Sequence, residues 1–337
     1  VSAPRFGFFF WPWSPEYTTE MALLGERLGW DLVGIADTPG NVMDPWVALT
    51  VAATRTERVG LAACVTNLAT RHPAITAGAA ASVDAVSGGR LILGLGTGHS
   101  GVVNVGAGAA TPADFREGLR FTRALLAGER ASLGGTTMEL PGRGRRVPVY
   151  AAASGPRALR TAGAVADGAF VNYGLGAEHV ARVRALIGDG AGETGRRPDE
   201  IDVWWIACLD VSPRREAALD KLGSILGFVA AYVLGPAPVE RGVPAPLVPA
   251  IRELRASYTT RRAAMDPDLV KRLGLFDYLR GRLAIAGTPD DCVEQVRATL
   301  AAGATRLMFT VSLAADPVRT VELFGAHVLP ALARPDA

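Results

Sequence analysis

Ala63-Cys64-Val65-Thr66-Asn67-Leu68-Ala69-Thr70-Arg71-His72-Pro73-Ala74-Ile75-Thr76-Ala77 carries the clearest strand-to-helix signal in the chain. It opens as a short apolar, β-branched run of the kind that suits a buried strand. The run stops at a polar pair, Thr66 and Asn67. A short loop with Arg71 and His72 follows, and Pro73 opens a helix at the position where a missing N–H costs nothing. Polar residues gathered at the C-terminal end of a strand, just ahead of a helix, are where parallel α/β enzymes carry their chemistry.

The same alternation extends in both directions. Phe6–Phe10 reads as a strand, and Ser14-Pro15-Glu16 supplies an N-cap, an N1 proline and an early acid for a helix to about Gly29. Leu32–Ala36 is a strand ending at Asp37, and Asp44-Pro45 repeats the cap-plus-proline signal for a helix to about Thr56. Val59–Thr66 is the third strand, and the helix from Pro73 ends near Gly88-Gly89. Leu91–Leu95, Val147–Ala153, Ala169–Tyr173, Ile201–Val211 and Arg306–Val311 continue the series, with helix starts at Thr111-Pro112, Ser154-Gly155-Pro156 and Asp316-Pro317. Eight such units predict an α/β fold, a single closed (β/α)8 TIM barrel occupying residues 1–337. One segment breaks the alternation. Between Pro213 and Arg282 there are helical patterns and a proline-rich stretch, Gly235 to Pro249, but no convincing strand. An insertion between strands seven and eight is the economical reading, with a separate helical domain as the alternative.

Composition bounds the function. At 49% hydrophobic, with a formal net charge of +2, the chain reads as a soluble globular protein without a nucleic-acid or membrane partner. Arg143, Arg145 and Arg146 sit among glycines with no interleaved aromatics, so they read as a solvated turn. Cys64, Cys208 and Cys292 show no disulfide framework or zinc spacing, which fits a reducing cytoplasm. The apolar N-terminal residues lack a basic region ahead of a long apolar one and read as a strand, not a signal peptide.

Several constellations are candidates for chemistry. Gly96, Gly98 and Gly101 match a dinucleotide fingerprint on paper. However, no amphipathic helix follows directly, and no second strand with a terminal acid appears on schedule. A loop whose N–H groups and hydroxyls (Thr97, Ser100) approach an anionic cofactor is the better reading, a ligand-free tight turn the bland one. Ser154, Gly155, Pro156 and Arg157 combine a helix N-terminus with extra donors, which suits a phosphate; the bland reading is a well-capped helix. Asp37 is either a loop cap or a functional acid. His72 and His99 are placed in loops at one barrel mouth, with no carboxylate or second histidine at ligand spacing, so no metal is expected. Within Phe8-Phe9-Phe10-Trp11-Pro12-Trp13, the residues past the strand end, Trp11 and Trp13, are candidates for the walls of an apolar pocket.

The Ala63–Ala77 segment resembles the third strand and loop of the luciferase-like flavin and deazaflavin oxidoreductases. The branch is the one containing methylene-tetrahydromethanopterin reductase. The glycine loop Gly94 to Ser100 and Gly155-Pro156-Arg157-Ala158-Leu159-Arg160-Thr161-Ala162-Gly163 carry the likeness further, as does Ala286-Gly287-Thr288-Pro289-Asp290-Asp291-Cys292. The resemblance implies a barrel that binds coenzyme F420, or alternatively FMN, at its C-terminal mouth. It implies a ring site built from Asp37, Cys64, Val65, Thr66, Asn67, Gly96, Thr97, Gly98 and Ser100, a phosphate segment from Ser154 to Arg157, and a non-prolyl cis peptide at Cys64–Val65. It also implies a homodimer.

Two positions depart from the pattern: Phe9 stands where the reductase branch has a glutamate, and His99 where the loop usually has an aspartate. The pterin-reductase activity is therefore not expected. Hydride transfer between the deazaflavin and a small organic substrate is, with His99 as candidate acid/base because an unperturbed imidazole titrates near neutrality. Phe9, Trp11, Trp13 and His72 are expected to line the substrate pocket. The alternative is an FMNH2-dependent monooxygenase fed by a separate reductase that supplies the reduced cofactor. A binding protein that keeps the barrel without the cofactor is the third reading.

Overall fold

Eight parallel strands alternate with helices and close on themselves. They are β1 (Arg5–Phe10), β2 (Leu32–Ile35), β3 (Gly60–Asn67), β4 (Leu91–Gly96), β5 (Val149–Ala153), β6 (Gly168–Val171), β7 (Asp202–Val211) and β8 (Arg306–Thr310). Each pairs with its successor, and β8 returns to β1 through Arg306↔Arg5 to Thr310↔Phe9, so the sheet is a closed barrel. This computed structural model describes residues 3–140 and 146–333. The expected solvated turn falls partly on Arg143 and Arg145, which lie outside the described residues; Arg146 pairs with Asp167.

Local chemistry explains the alternation. The helices Pro15–Arg27, Pro45–Arg55, Pro73–Val86, Pro112–Leu126 and Pro317–Leu323 all begin with proline, and a side chain caps each one. A first-turn proline forfeits only an N–H that has no helical partner. The helices bury apolar faces on the outside of the sheet, while Leu32, Ala62, Cys64, Tyr150, Phe170, Trp204 and Met308 fill the barrel interior.

The segment from Pro213 to Arg282 is helical, as expected: Arg215–Asp220, Leu222–Val233, Val248–Ser257, Leu269–Arg272 and Phe276–Leu283. It has an apolar core of its own around Leu222, Leu226, Ile251, Leu254 and Leu279. Two strand features were not anticipated. Ala284–Gly287 forms a short strand on the far half of β7, where that ten-residue strand has outrun its barrel neighbours. Ala131–Leu133 and Thr136–Met138 form a small hairpin outside the barrel.

Candidate active site

The C-terminal ends of the strands open into a cavity under the inserted helices. Of the expected site residues, Phe9, Trp11, Asp37, Cys64, Val65, Thr66, Asn67, Gly96, Gly98, His99, Ser100 and Ser154 line it. A second cavity shares Ala152, Ser154 and Tyr232 with the first and is lined by Thr97, Gly155, Pro156 and Arg157. The expected ring and phosphate segments are therefore continuous in space.

Two expected wall residues lie elsewhere. Exposed His72 is the N-cap of the Pro73 helix, its Nδ1 accepting from the Ala74 N–H at 3.2 Å. It caps a helix and does not join the cavity lining. Trp13 stands one layer back, edge-on to Trp11 at 5.5 Å and under the Arg262 guanidinium at 4.0 Å.

At the β3 end, the Cys64–Val65 peptide is cis, as the resemblance implied, and the pairing with β4 shifts between Ala63 and Thr66. The Thr66 hydroxyl donates to Asp37 Oδ2 at 2.7 Å. Burial raises the Asp37 carboxyl above the usual carboxylate range, and the bond from Thr66 works against that rise. Asn67 spends its carbonyl oxygen on the turn that follows, accepting from Ala69 N–H at 3.0 Å and Thr70 N–H at 2.9 Å. Its amide nitrogen lies against Gly101, where an added Cβ would come within 2.9 Å. Gly98, at φ +106°, lets the β4 loop turn back over the cavity.

His99 stands in an aromatic enclosure built by the insertion. Its ring stacks on Tyr232 at 4.2 Å, lies beside Tyr258 at 5.7 Å and meets the edge of Phe228 at 5.1 Å. Nε2 is 3.0 Å from the Tyr258 hydroxyl. Burial, with the Arg255 cation adding to it, lowers the imidazole to about 3. The expectation that His99 titrates near neutrality is corrected: a desolvated ring among apolar neighbours stays neutral at physiological pH.

Reasoning from sequence missed four residues here. Phe228 and Tyr232, four apart on one apolar helix, form a cavity wall with Ile225, Val229 and Val233. Their spacing was the available signal, although it reads equally as core packing. Asn172, just past β6, also lines the cavity, and its buried Oδ1 has no partner among the described residues. Arg241 closes the second cavity. Its Nη1 donates to the Ser154 carbonyl at 2.7 Å and the Ser154 hydroxyl at 3.1 Å, and also to the Val233 carbonyl. Its buried Nε has no partner among the described residues, and a Cβ on Gly155 would come within 2.7 Å of its Nη2. Glu240 is the one acid lining that cavity.

Polar bonds tie the insertion to the barrel mouth. The Thr260 hydroxyl donates to Asn104 at 2.6 Å, and Asn41 donates to the Thr260 carbonyl at 2.9 Å. Buried Arg282 donates to the carbonyl of Tyr173 at 2.9 Å and to that of Arg241 at 2.5 Å. Among the described residues no group of histidines, cysteines or acids could hold a metal ion, and no helix is long and apolar enough to cross a membrane.

A closed parallel barrel with a largely apolar cavity at its C-terminal mouth and an arginine-lined annex beside it is the architecture of a (β/α)8 barrel enzyme. The chain belongs to the luciferase-like monooxygenase family, whose pattern matches residues 12–306. It is 31% identical to a 5,10-methylenetetrahydromethanopterin reductase of Methanolobus tindarius, over 96% of this chain and 99% of that protein. It is 29% identical to an F420-dependent glucose-6-phosphate dehydrogenase of Nakamurella multipartita, over 98% and 95% of the two chains. The solved coenzyme F420-dependent tetrahydromethanopterin reductase of Methanopyrus kandleri superimposes with a TM-score of 0.81 at 26% identity, covering 98% of this chain and all of the other.

Proposed function

We propose that this enzyme binds coenzyme F420 and catalyses hydride transfer between the deazaflavin and a small, uncharged organic substrate. The observation that carries the reading is the continuity of the two cavities through Ala152, Ser154 and Tyr232. One is mostly apolar, the other is lined by arginines and a helix N-terminus. A fused-ring cofactor with a phosphate-bearing side chain requires that division. Two buried polar atoms without partners support the fit: Asn172 Oδ1, an acceptor at the ring end, and Arg241 Nε, a donor at the anion end.

When bound, the deazaflavin would supply the hydride chemistry. Asp37, Thr66, Asn67 and the Gly96–Ser100 loop would hold and orient the ring. Ser154, Gly155, Arg157 and Arg241 would hold the phosphate. Phe9, Trp11, Phe228 and Tyr232 exclude water, and His99 presents a neutral imidazole to the reacting atoms. Among the described residues no lysine or arginine lines the main cavity, which supports an uncharged substrate over a phosphorylated one. With Phe9 in place of an acid, pterin reduction is not part of the proposal.

Side-by-side fluorescence titrations with F420 and FMN test the cofactor. Saturable binding of F420, with FMN much weaker, is expected. Preference for FMN together with reduced-flavin-dependent oxygen uptake would move the assignment to the monooxygenase class. Binding of neither would leave a barrel without its cofactor.

A further inference from the structure

The neutral state of His99 raises the question of how its proton is held and replaced, and the residue facing it supplies an answer. Tyr258 reaches His99 across 159 positions of sequence, its hydroxyl 3.0 Å from Nε2 and its ring nearly parallel to the imidazole at 18°. Both residues are largely withdrawn from solvent, and burial keeps the phenol in its protonated form as well. Between a neutral phenol and a neutral imidazole, the stronger hydrogen bond is phenol O–H to the unprotonated ring nitrogen. The phenol is the better donor and the imidazole sp² nitrogen the better acceptor. That direction places the imidazole proton on Nδ1.

Tyr258 also borders a second space. While His99 lines the main cavity, Tyr258 lines a small cleft within the insertion with Ser224, Ser257, Thr259 and Asp266. The cleft volume is about 40 Å3, above the ~10–15 Å3 that a water molecule needs, and Ser224, Ser257, Thr259 and Asp266 in its largely apolar lining supply partners for one. The pair therefore stands between a water-sized cleft and the aromatic cavity.

We propose that Tyr258 is a positioning residue for His99: its phenol donates to Nε2, fixes the Nδ1–H tautomer toward the cavity, and passes in the proton that replaces the one His99 delivers. The inference rests on the proposed hydride-transfer reading, in which a substrate oxygen gains a proton as its carbon gains the hydride. The relay itself moves no electrons. Nδ1 gives its proton to the substrate oxygen, Nε2 takes the Tyr258 proton, and the phenol regains one from cleft water. These steps leave hydroxide in the cleft and the imidazole as its Nε2–H tautomer. Once product has left, Nδ1 takes a proton from water entering the cavity while Nε2 returns its proton through Tyr258 to the cleft hydroxide, so the net transfer is one proton from water to substrate.

Tyr258→Phe keeps the ring and deletes the hydroxyl. Nitrogen-15 NMR of imidazole-labelled protein without cofactor should show a single Nδ1–H tautomer for His99 in the wild type and a mixture in the variant. F420 affinity should stay within twofold, while turnover falls at least tenfold and the solvent isotope effect on turnover rises. Thermal melting confirms that the variant is folded; should it not be, the wild-type spectrum alone judges the bond, because an Nε2–H tautomer for His99 overturns the proposal. An identical His99 tautomer in variant and wild type, or turnover with an unchanged isotope effect, would overturn the proposal. Failure of the wild type to bind F420 would count against the hydride-transfer reading, and the tautomer measurement would still judge the Tyr258–His99 bond.

Discussion

The barrel mouth and the insertion that covers it are built on opposite principles. At the mouth, the polar groups sit where strands end, and bonds within the following turn or to the neighbouring strand set their orientation. Asn67 is fixed by the two residues that follow its turn, and Asp37 by Thr66 on the next strand. In the insertion, the aromatic wall and Arg241 reach the site only through long-range bonds: Thr260 to Asn104, Arg282 to Tyr173, Arg241 to Ser154. In the proposed reading the mouth holds the cofactor, whereas the insertion shapes what fits beside it. Substitutions at the phosphate-end strand cap should therefore disrupt cofactor binding, and those at the aromatic enclosure and in the insertion should grade it or alter turnover.

The largest expected effect is at Gly155. A carboxylate there would press on Arg241 and oppose any bound phosphate, so Gly155→Asp should abolish F420 binding. Gly155 is also the N-cap of the Pro156–Val165 helix, where aspartate is at least as favourable as glycine. The melting temperature should hold while binding disappears. Unchanged cofactor affinity in this variant would remove the anchor.

Asp210 tests the joint between the two regions, where β7 leaves β8 and pairs with Ala284–Gly287. Its buried carboxyl accepts from the Ala315 N–H at 2.8 Å, and desolvation pushes it up to about 7. A folded-state value above the unfolded one, ~3.9 for aspartate, means the folded protein binds the extra proton. That stabilisation is full below about pH 4 and is lost as pH rises through about 7. Asp210→Asn should match the wild type near pH 4 and exceed it near pH 8, by up to ~4 kcal/mol at 1.36 kcal/mol per unit. Denaturant unfolding across that range checks it, and parallel curves for the two proteins would exclude Asp210 as the source.

His99→Ala should lower turnover by roughly 10²-fold, the scale for removing a general acid, with F420 affinity within a few fold. Because the imidazole is held to about 3, the wild-type rate should show no His99 inflection between pH 5 and 8. An inflection near 6.5 that vanishes in the variant would mean the aromatic enclosure opens during catalysis. Loss of affinity, with turnover recovered at saturation, would make His99 a cofactor ligand.

Arg241→Ala measures what the insertion adds to the anion annex. Loss of a charged hydrogen bond should weaken F420 binding about tenfold, and more than Arg157→Ala, since Arg157 is solvent-exposed. The reverse order would return the anchor to the barrel alone.

The boundary between what was and was not legible in the sequence follows the same division. Strand ends such as Thr66-Asn67 and caps such as Ser154-Gly155-Pro156 announce themselves within a few residues, because proline and capping chemistry are local. The Cys64–Val65 cis bond came from family likeness, since no local propensity marks it. Phe228, Tyr232 and Tyr258 could not be assigned, because aromatics in an apolar helical segment read as core until tertiary contacts show them facing His99. The strand Ala284–Gly287 was missed because it pairs only with the overhang of β7. The His99 protonation state was misjudged because an imidazole's ordinary value holds in water, and nothing near residue 99 in sequence reveals the rings that exclude it.

The smallest expected effect belongs to His72, a loop histidine close in sequence to Asn67 and expected beside the substrate. Its Nδ1 accepts the Ala74 N–H and so satisfies one of the free donors at the start of the Pro73–Val86 helix. His72→Ala should cost about 0.5–1 kcal/mol of stability, the lower range for losing a side-chain cap, and His72→Ser should restore most of it. Turnover and the Michaelis constant should be unchanged in both, because the side chain is exposed and outside the cavity lining. A raised Michaelis constant in the alanine variant that serine did not repair would place His72 in the path of the substrate, and the mouth would then extend beyond the enclosure that the insertion builds.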